Sequence, residues 1–358
     1  MKKIIILILF IFTLSGCYDY KEINNLAIVS AIGIDYKDDE YIVTLEILND
    51  QIDKNSYKIT SYTKTATGKN ITKAIEKAAD KISNQANYTH VKLLLLSENI
   101  LNGKFNSIID FFIRSTYFRE NFYVLSTLEN SPKEILNQTD KENPIASTNI
   151  IDSLENNIYS SNNAVLKSFD LIIKEIITFG IDTSFSNIKL NNKEFLVDGL
   201  SIFKDTDFKG TIDNENVKLF NILRNEYQRP AFTKDYDDKN VTITLLTGKS
   251  NISITSKEIN IKGKLSGKIM DNEIDANMRN LEAIKTINND FTKLLNKKIY
   301  NFMKEIQSKE SDILGLSKMY YEKNRIKNDN LWKNLDINSN INFKINKKGL
   351  IYEVKYEN

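Results

Sequence analysis

The chain has 358 residues, 41% of them hydrophobic and 27% charged, with 49 basic against 47 acidic side chains and a formal net charge of +2. This composition excludes a disordered chain, and the near-neutral balance leaves no net field to draw in nucleic acid or anionic lipid. A single cysteine, Cys17, and a single histidine, His90, exclude an internal disulfide framework and any multi-histidine metal site, and they leave a Ser-His-Asp triad possible only through His90.

The N-terminus reads as an export signal. Lys2 and Lys3 precede an apolar run from Ile4 to Leu14 of about eleven residues, short of the roughly 20 needed to span a bilayer. Leu14-Ser15-Gly16-Cys17 then forms a lipobox. An aliphatic residue followed by two small ones lets the backbone lie flat in a signal peptidase, and the Cys17 thiol takes a diacylglycerol before cleavage makes it the new N-terminus. The other reading is an uncleaved anchor, or an ordinary secretory signal in which Cys17 is incidental. With residues 1–16 removed, 342 residues remain, carrying 47 charges of each sign, and acylation of Cys17 would leave no free thiol.

From Glu22 the pattern is that of strands. Leu26, Ile28, Ile32 and Ile34 alternate, and so do Tyr41, Val43, Leu45 and Ile47 after the turn Lys37-Asp38-Asp39-Glu40, which predicts a hairpin. A third strand is expected over 57–67. Ile71, Ile75, Ala78 and Ile82 then recur at helical spacing from a cap at Asn70. His90–Leu96 reads as a strand buried on both faces, Phe105–Ile113 as a helix, Phe122–Leu128 as a strand, and Pro132 as the start of a short helix. Phe169, Ile172, Ile173 and Ile176 mark a further helix between Ser168 and Gly180.

The polar stretch Asp182–Lys193 lacks periodicity and is expected as a boundary. A strand over Phe195–Phe203 and a short helix over Val217–Leu223 follow, then a second polar break over Asn225–Asn240. Three strand-like runs come next, Val241–Leu246, Ile252–Ile261 and Lys264–Ile274, the second with a phase change at Ser256–Glu258 that suggests a bulge. One helical face then runs through Met278, Leu281, Ile284, Ile287, Phe291, Leu294 or Leu295, Ile299, Phe302 and Ile306, predicting a helix of about 30 residues. Ile341, Phe343 and Ile345 alternate, and Leu350, Tyr352, Val354 and Tyr356 alternate after a turn at Gly349.

The expected fold class is therefore α+β and multi-domain, with mixed and antiparallel sheets packed with helices and a C-terminal unit in which one long helix crosses an antiparallel sheet. The expected divisions are a signal peptide over 1–16, an N-terminal α/β domain over 17–190, a small middle domain over 191–238 and a C-terminal α+β domain over 239–358.

No catalytic centre declares itself. Gly263-Lys-Leu-Ser-Gly267-Lys268 is one residue short of a phosphate loop, has Ile269 in place of the hydroxyl, and lies in a strand-like region. Asp38-Asp39-Glu40 and Asp237-Asp238 read as solvated turns, His90 as a structural residue, and Trp332 as a core anchor.

At this point the residues resemble a family, the Ger(x)C lipoproteins, which are C subunits of nutrient germinant receptors in spore-forming bacteria. Cys17, Asp19, Glu22, Ile23, Leu26, Ala27, Val29, Gly33 and Asp35 match its opening motif, with Tyr18 in place of the usual Trp. His90, Lys92 and Glu98 match a second block, Arg114 and Arg119 the arginines of a third, and Gly180 and Asp182 its G-x-D. Asp312, Leu314, Gly315, Trp332 and Gly349 are similar to the closing pattern, with Ser317 where a second glycine is usual. The resemblance implies a three-domain lipoprotein on the outer face of the spore inner membrane, without enzymatic role, cofactor or metal, working with membrane-embedded A and B subunits. The alternative is a solute-binding lipoprotein of an importer, a class that favours two similar lobes around a cleft.

Overall fold

The computed structural model describes residues 26–53, 56–140, 142–274 and 281–347. β1 (Leu26–Lys37) and β2 (Glu40–Asp53) form the expected antiparallel hairpin, turning through Asp38 and Asp39 at positive φ, and β3 (Ser56–Gly68) pairs along β2. The Asn70 side chain caps α1 (Ile71–Ala79) by accepting from the Lys73 amide. Ile71, Ala74, Ile75 and Ala78 are its buried face, and Ile82 lies past its end. β4 (Gln85–Asn87) pairs with the first residues of β1, and β5 (Leu93–Ser97) joins β1 in parallel.

Leu93 and Leu95 point into one core while Leu94 and Leu96 point into another, which is why this strand reads as a continuous apolar run. The short α2 (Glu98–Leu101), α3 (Phe105–Arg114), β6 (Tyr123–Thr127) and α4 (Pro132–Leu136) follow, the last with a capping box between Ser131 and Glu134. α5 (Ala146–Ser160) has no counterpart in the sequence reading, and α6 (Phe169–Ile177) follows at its expected place. The start of α5 is capped from afar. The fully buried carboxylate of Glu46 on β2 accepts from the Ala146 and Ser147 amides at 2.7 and 3.2 Å, and from the Ser30 and Ser61 hydroxyls at 2.7 Å each.

Residues 182–193, expected as a polar boundary, carry a buried strand instead: β7 (Ser184–Asn191) lies between β6 and β8 (Glu194–Lys204), and β9 (Asp207–Ile212) completes the sheet. Some of its polar side chains are bonded internally, whereas Ser184 Oγ and Asn187 Oδ1 are buried without a partner among the described residues. Ser186 Oγ donates to the Val165 carbonyl and accepts from the Val165 amide, both at 2.9 Å, and Ser126 and Ser201 share a 2.7 Å hydrogen bond. Among the described residues the sheet has nine strands, in order β3-β2-β1-β5-β6-β7-β8-β9 with β4 beside β1. Helices α1, α3 and α6 cover one face, and α4 and α5 cover the other.

The second polar break also hides structure. α7 (Asn214–Arg224) is capped by Asp213, and β10 (Ala231–Tyr236) turns through Asp237 into β11 (Lys239–Ile254). The three strand-like runs are two long strands, β11 and β12 (Glu258–Asn272). The phase change at Ser256–Glu258 is the hairpin turn between them. The register shifts fall earlier, between Thr242 and Ile243 and between Leu245 and Thr247. Gly267 sits where a Cβ would strike the Thr244 carbonyl oxygen, so the phosphate-loop-like glycine serves close approach of two strands.

α8 (Leu281–Ser308) then crosses the second sheet and buries Ile284, Ile287, Phe291, Leu295, Ile299, Phe302 and Ile306; each contributes roughly 1.5–3 kcal/mol relative to exposure. After α9 (Leu316–Asn324) and a 3-10 turn (Leu331–Asn334), β13 (Asp336–Lys347) pairs with β12 in parallel. The sheet order is β10-β11-β12-β13. Its last pairing departs from the antiparallel expectation because α8 serves as the crossover that a parallel strand needs. The outer edge of β13 is not left open. The side chains of Asn296, Thr292 and Asn288 on α8 accept from the amides of Ile341, Phe343 and Ile345 at 2.8, 3.0 and 2.8 Å, and Asn296 Nδ2 donates to the Ile341 carbonyl at 2.7 Å. Met278 and the strand expected over 350–356 lie outside the described residues.

Candidate functional site

Two motif fragments 130 residues apart meet in one buried joint. Asp182, just before β7, accepts from the amides of Asp205 (2.9 Å) and Asp312 (2.6 Å), and its own amide donates to the Asp312 carbonyl at 3.0 Å. Asp312 in turn accepts from the Leu316 and Ser317 amides at 2.7 and 2.8 Å. The next amide, that of Lys318, donates to the Gly180 carbonyl at 2.9 Å. The open donors at the start of α9 are thus shared between its own chain segment and the end of the first half of the protein. Gly180 has φ +75, and a Cβ there would fall on the Lys318 amide and within 2.7 Å of the Ser317 carbonyl carbon. Gly315, at φ +71, supplies the left-handed residue that turns the chain into α9.

Asp182 and Asp312 are both buried. Burial raises the Asp312 carboxyl to about 6 against the pull of its two amide donors, with the neighbouring Asp182 charge adding to the rise, and burial raises Asp182 as well. Lys204 is 3.6 Å from Asp182. Between the ordinary 3.8 and about 6 the native Asp312 holds a proton that the unfolded chain has released. Stability from this group therefore falls as pH rises through that window. Asp312→Asn, which stays neutral, is expected to lose on the order of 2 kcal/mol more against the wild type at pH 4.5 than at pH 7.5. Urea unfolding of both chains at the two pH values measures this, and a gap that does not change with pH sinks it.

A second buried cluster lies nearby. Lys167 Nζ is 2.6 Å from Glu175 Oε2, the Thr183 hydroxyl donates to the same oxygen at 2.8 Å, and Arg224 approaches Glu175 at 3.7 Å. Burial lowers the Lys167 pKa. The sequence reading missed this cluster, although a lysine inside Ala164-Val165-Leu166-Lys167-Ser168-Phe169 was its signal.

The other motif residues sort by burial. Leu26, Ala27, Val29, Gly33 and Asp35 lie on β1, where Gly33 admits Pro132 of α4 against the sheet and Asp35 accepts from the Tyr36 amide at 2.7 Å. The Lys92 amide and carbonyl bridge Ser30 and Tyr123 at 2.8 Å each. Trp332 is fully buried, and its carbonyl accepts from Gln307 at 2.8 Å. His90, Glu98, Arg114 and Arg119 are exposed, and Arg114 pairs with Asp110 at 2.7 Å. Leu14, Ser15, Gly16 and Cys17 lie outside the described residues, as do Asp19, Glu22, Ile23 and Gly349.

On the α1/α3 face a groove of about 790 Å³ opens between the two helices, lined by Ile71, Ile75, Ala86, Tyr88, Phe111 and Phe118 among others. Tyr117 at its rim is 71% exposed. Among the described residues no group of three or more histidine, cysteine or carboxylate side chains is placed to hold a metal ion.

Comparison with known proteins fits this architecture. Residues 19–190 match the family model described as spore germination protein N-terminal domain, and residues 198–349 match spore germination B3/GerAC like, C-terminal. The chain belongs to this GerAC-like family of spore germination proteins. It is similar to the putative spore germination protein YfkR of Bacillus subtilis, at 25% identity over 87% of this chain and 86% of that protein. It is also similar to the spore germination protein KC of the same organism, at 22% identity over 89% of this chain and 86% of that protein. The crystal structure of the GerBC protein superimposes with a TM-score of 0.56 at 16% identity, over 88% of this chain and 97% of that one.

Proposed function

We propose that this chain is the C subunit of a nutrient germinant receptor, a non-enzymatic lipoprotein held on the extracytoplasmic face of the spore inner membrane by a diacylglycerol on Cys17, and acting with membrane-embedded A and B subunits. The observation that carries the reading is the joint. Gly180, Asp182, Asp312 and Gly315, which carry the family resemblance in the second half of the motif set, are spent on fixing one half of the protein to the other. A body locked in this way suits a subunit that presents fixed surfaces to partners. No described helix is long and apolar enough to cross a membrane, and two acyl chains suffice for stable attachment. Confinement at the bilayer raises effective concentration, so an interface of standard size or smaller can assemble there.

Cys17→Ala in spores tests the reading. The variant is expected to accumulate as uncleaved precursor, to lose lipid labelling, and to lose the response to the cognate nutrient while other germination routes persist. Normal processing defeats the lipid assignment. Normal germination with lost uptake of one solute favours the importer instead.

A further inference from the structure

The groove between α1 and α3 lies where the chain comes from the membrane. Its floor includes Gln85 and Ala86 of β4, which pair with Leu26 and Ala27, the first residues of β1. Leu26 lies nine positions after Cys17, a reach of roughly 30 Å when fully extended. Resting on the lipid anchoring proposed above, this geometry keeps the groove within that distance of the bilayer.

Its chemistry is that of an unfilled helix-packing site. Phe111 and Phe118 are half-buried in its walls above the buried Ile71 and Ile75, and the rings of Tyr88 and Phe118 meet at 5.2 Å. α3 has ten residues, so its wall is roughly 15 Å long, two to three turns of a partner helix. No described residue hydrogen-bonds the Tyr88 hydroxyl, and burial pushes its phenol up to about 12.

We infer that this groove receives an apolar-faced helical segment, two to three turns long, from the outer surface of one membrane-embedded receptor subunit. A bilayer surface fits less well. It is flat where the site is concave.

The test uses the full-length chain, whose only cysteine is Cys17. Tyr117→Cys puts a thiol at the exposed rim, and Tyr159→Cys puts a control on α5, across the sheet, where Tyr159 is 62% exposed. Maleimide labelling is compared in spore membranes with and without the two multi-spanning subunits, and in lipid vesicles carrying this chain alone. Loss of labelling at position 117 only when the subunits are present, with position 159 labelled throughout, supports the inference. Loss in vesicles alone makes the bilayer or a second copy the occupant and overturns it. Equal labelling with and without the subunits also overturns it, and co-purification then separates two failures. If the subunits still co-purify, the groove assignment alone is wrong; if they do not, the receptor reading fails with it.

Discussion

Gly180→Ala is expected to destabilise the protein by at least about 3 kcal/mol, well beyond what its backbone angle alone explains. A left-handed alanine costs roughly 1–2 kcal/mol, and the lost hydrogen bond from the Lys318 amide adds roughly 1. The new methyl must also push α9 away, because it falls on backbone atoms of Ser317 and Lys318 that no rotamer change can move. Gly210→Ala is the control. It shares a positive φ, +103, but has nothing within 4 Å of the added Cβ, so only the conformational cost applies. Urea midpoints of the two variants measure the difference. Equal destabilisation would mean that the joint yields, and the rigid connection between the halves would have to be abandoned.

Glu175→Ala is expected to cost about 3–5 kcal/mol near neutral pH, because it strands the Lys167 ammonium in the interior without its carboxylate. Replacing both partners, as in Lys167→Met with Glu175→Leu, should recover most of that loss, since the pair's attraction largely offsets the cost of desolvating it. The pH dependence has a definite sign. Burial already lowers the Lys167 pKa, so on the alkaline side the unfolded chain binds the proton that the native chain has shed, and stability from this group rises with pH. The deficit of the single variant should therefore shrink as pH rises from neutral toward the ordinary lysine range, whereas lost packing alone would leave it constant.

Elements whose buried face is written in apolar residues were legible from the sequence. The β1–β2 hairpin, α1 with its Asn70 cap, β5 and the long face of α8 all follow from spacing. What escaped was structure held by polar groups with distant partners. β7 escaped as a strand because Ser184, Ser186 and Asn187 are polar and the stretch reads as a boundary, yet they are buried and Ser186 is bonded to Val165. α5 lacks a local start signal because its cap is Glu46, a hundred residues upstream. The joint had the same character. Gly180-Ile-Asp182 and Asp312-Ile-Leu-Gly315 could each be noticed through the family resemblance, but nothing in their spacing says that one completes the other. The groove was illegible for another reason: the apolar positions of α1 and α3 look alike in sequence whether covered or not.

The contact between α8 and β13 works as a vernier. Four residues of helix advance roughly 6.0 Å and two residues of strand roughly 6.6 Å, so Asn288, Thr292 and Asn296 stay in step with Ile345, Phe343 and Ile341. The small mismatch accumulates at each step, which limits the run to a few rungs and makes one alignment the only one in which all three amides are met. The helix thus acts as a surrogate strand. It fixes where the last strand stops sliding, and it denies that edge to any other chain, so whatever assembles with this protein must do so by filling a surface rather than by extending a sheet there.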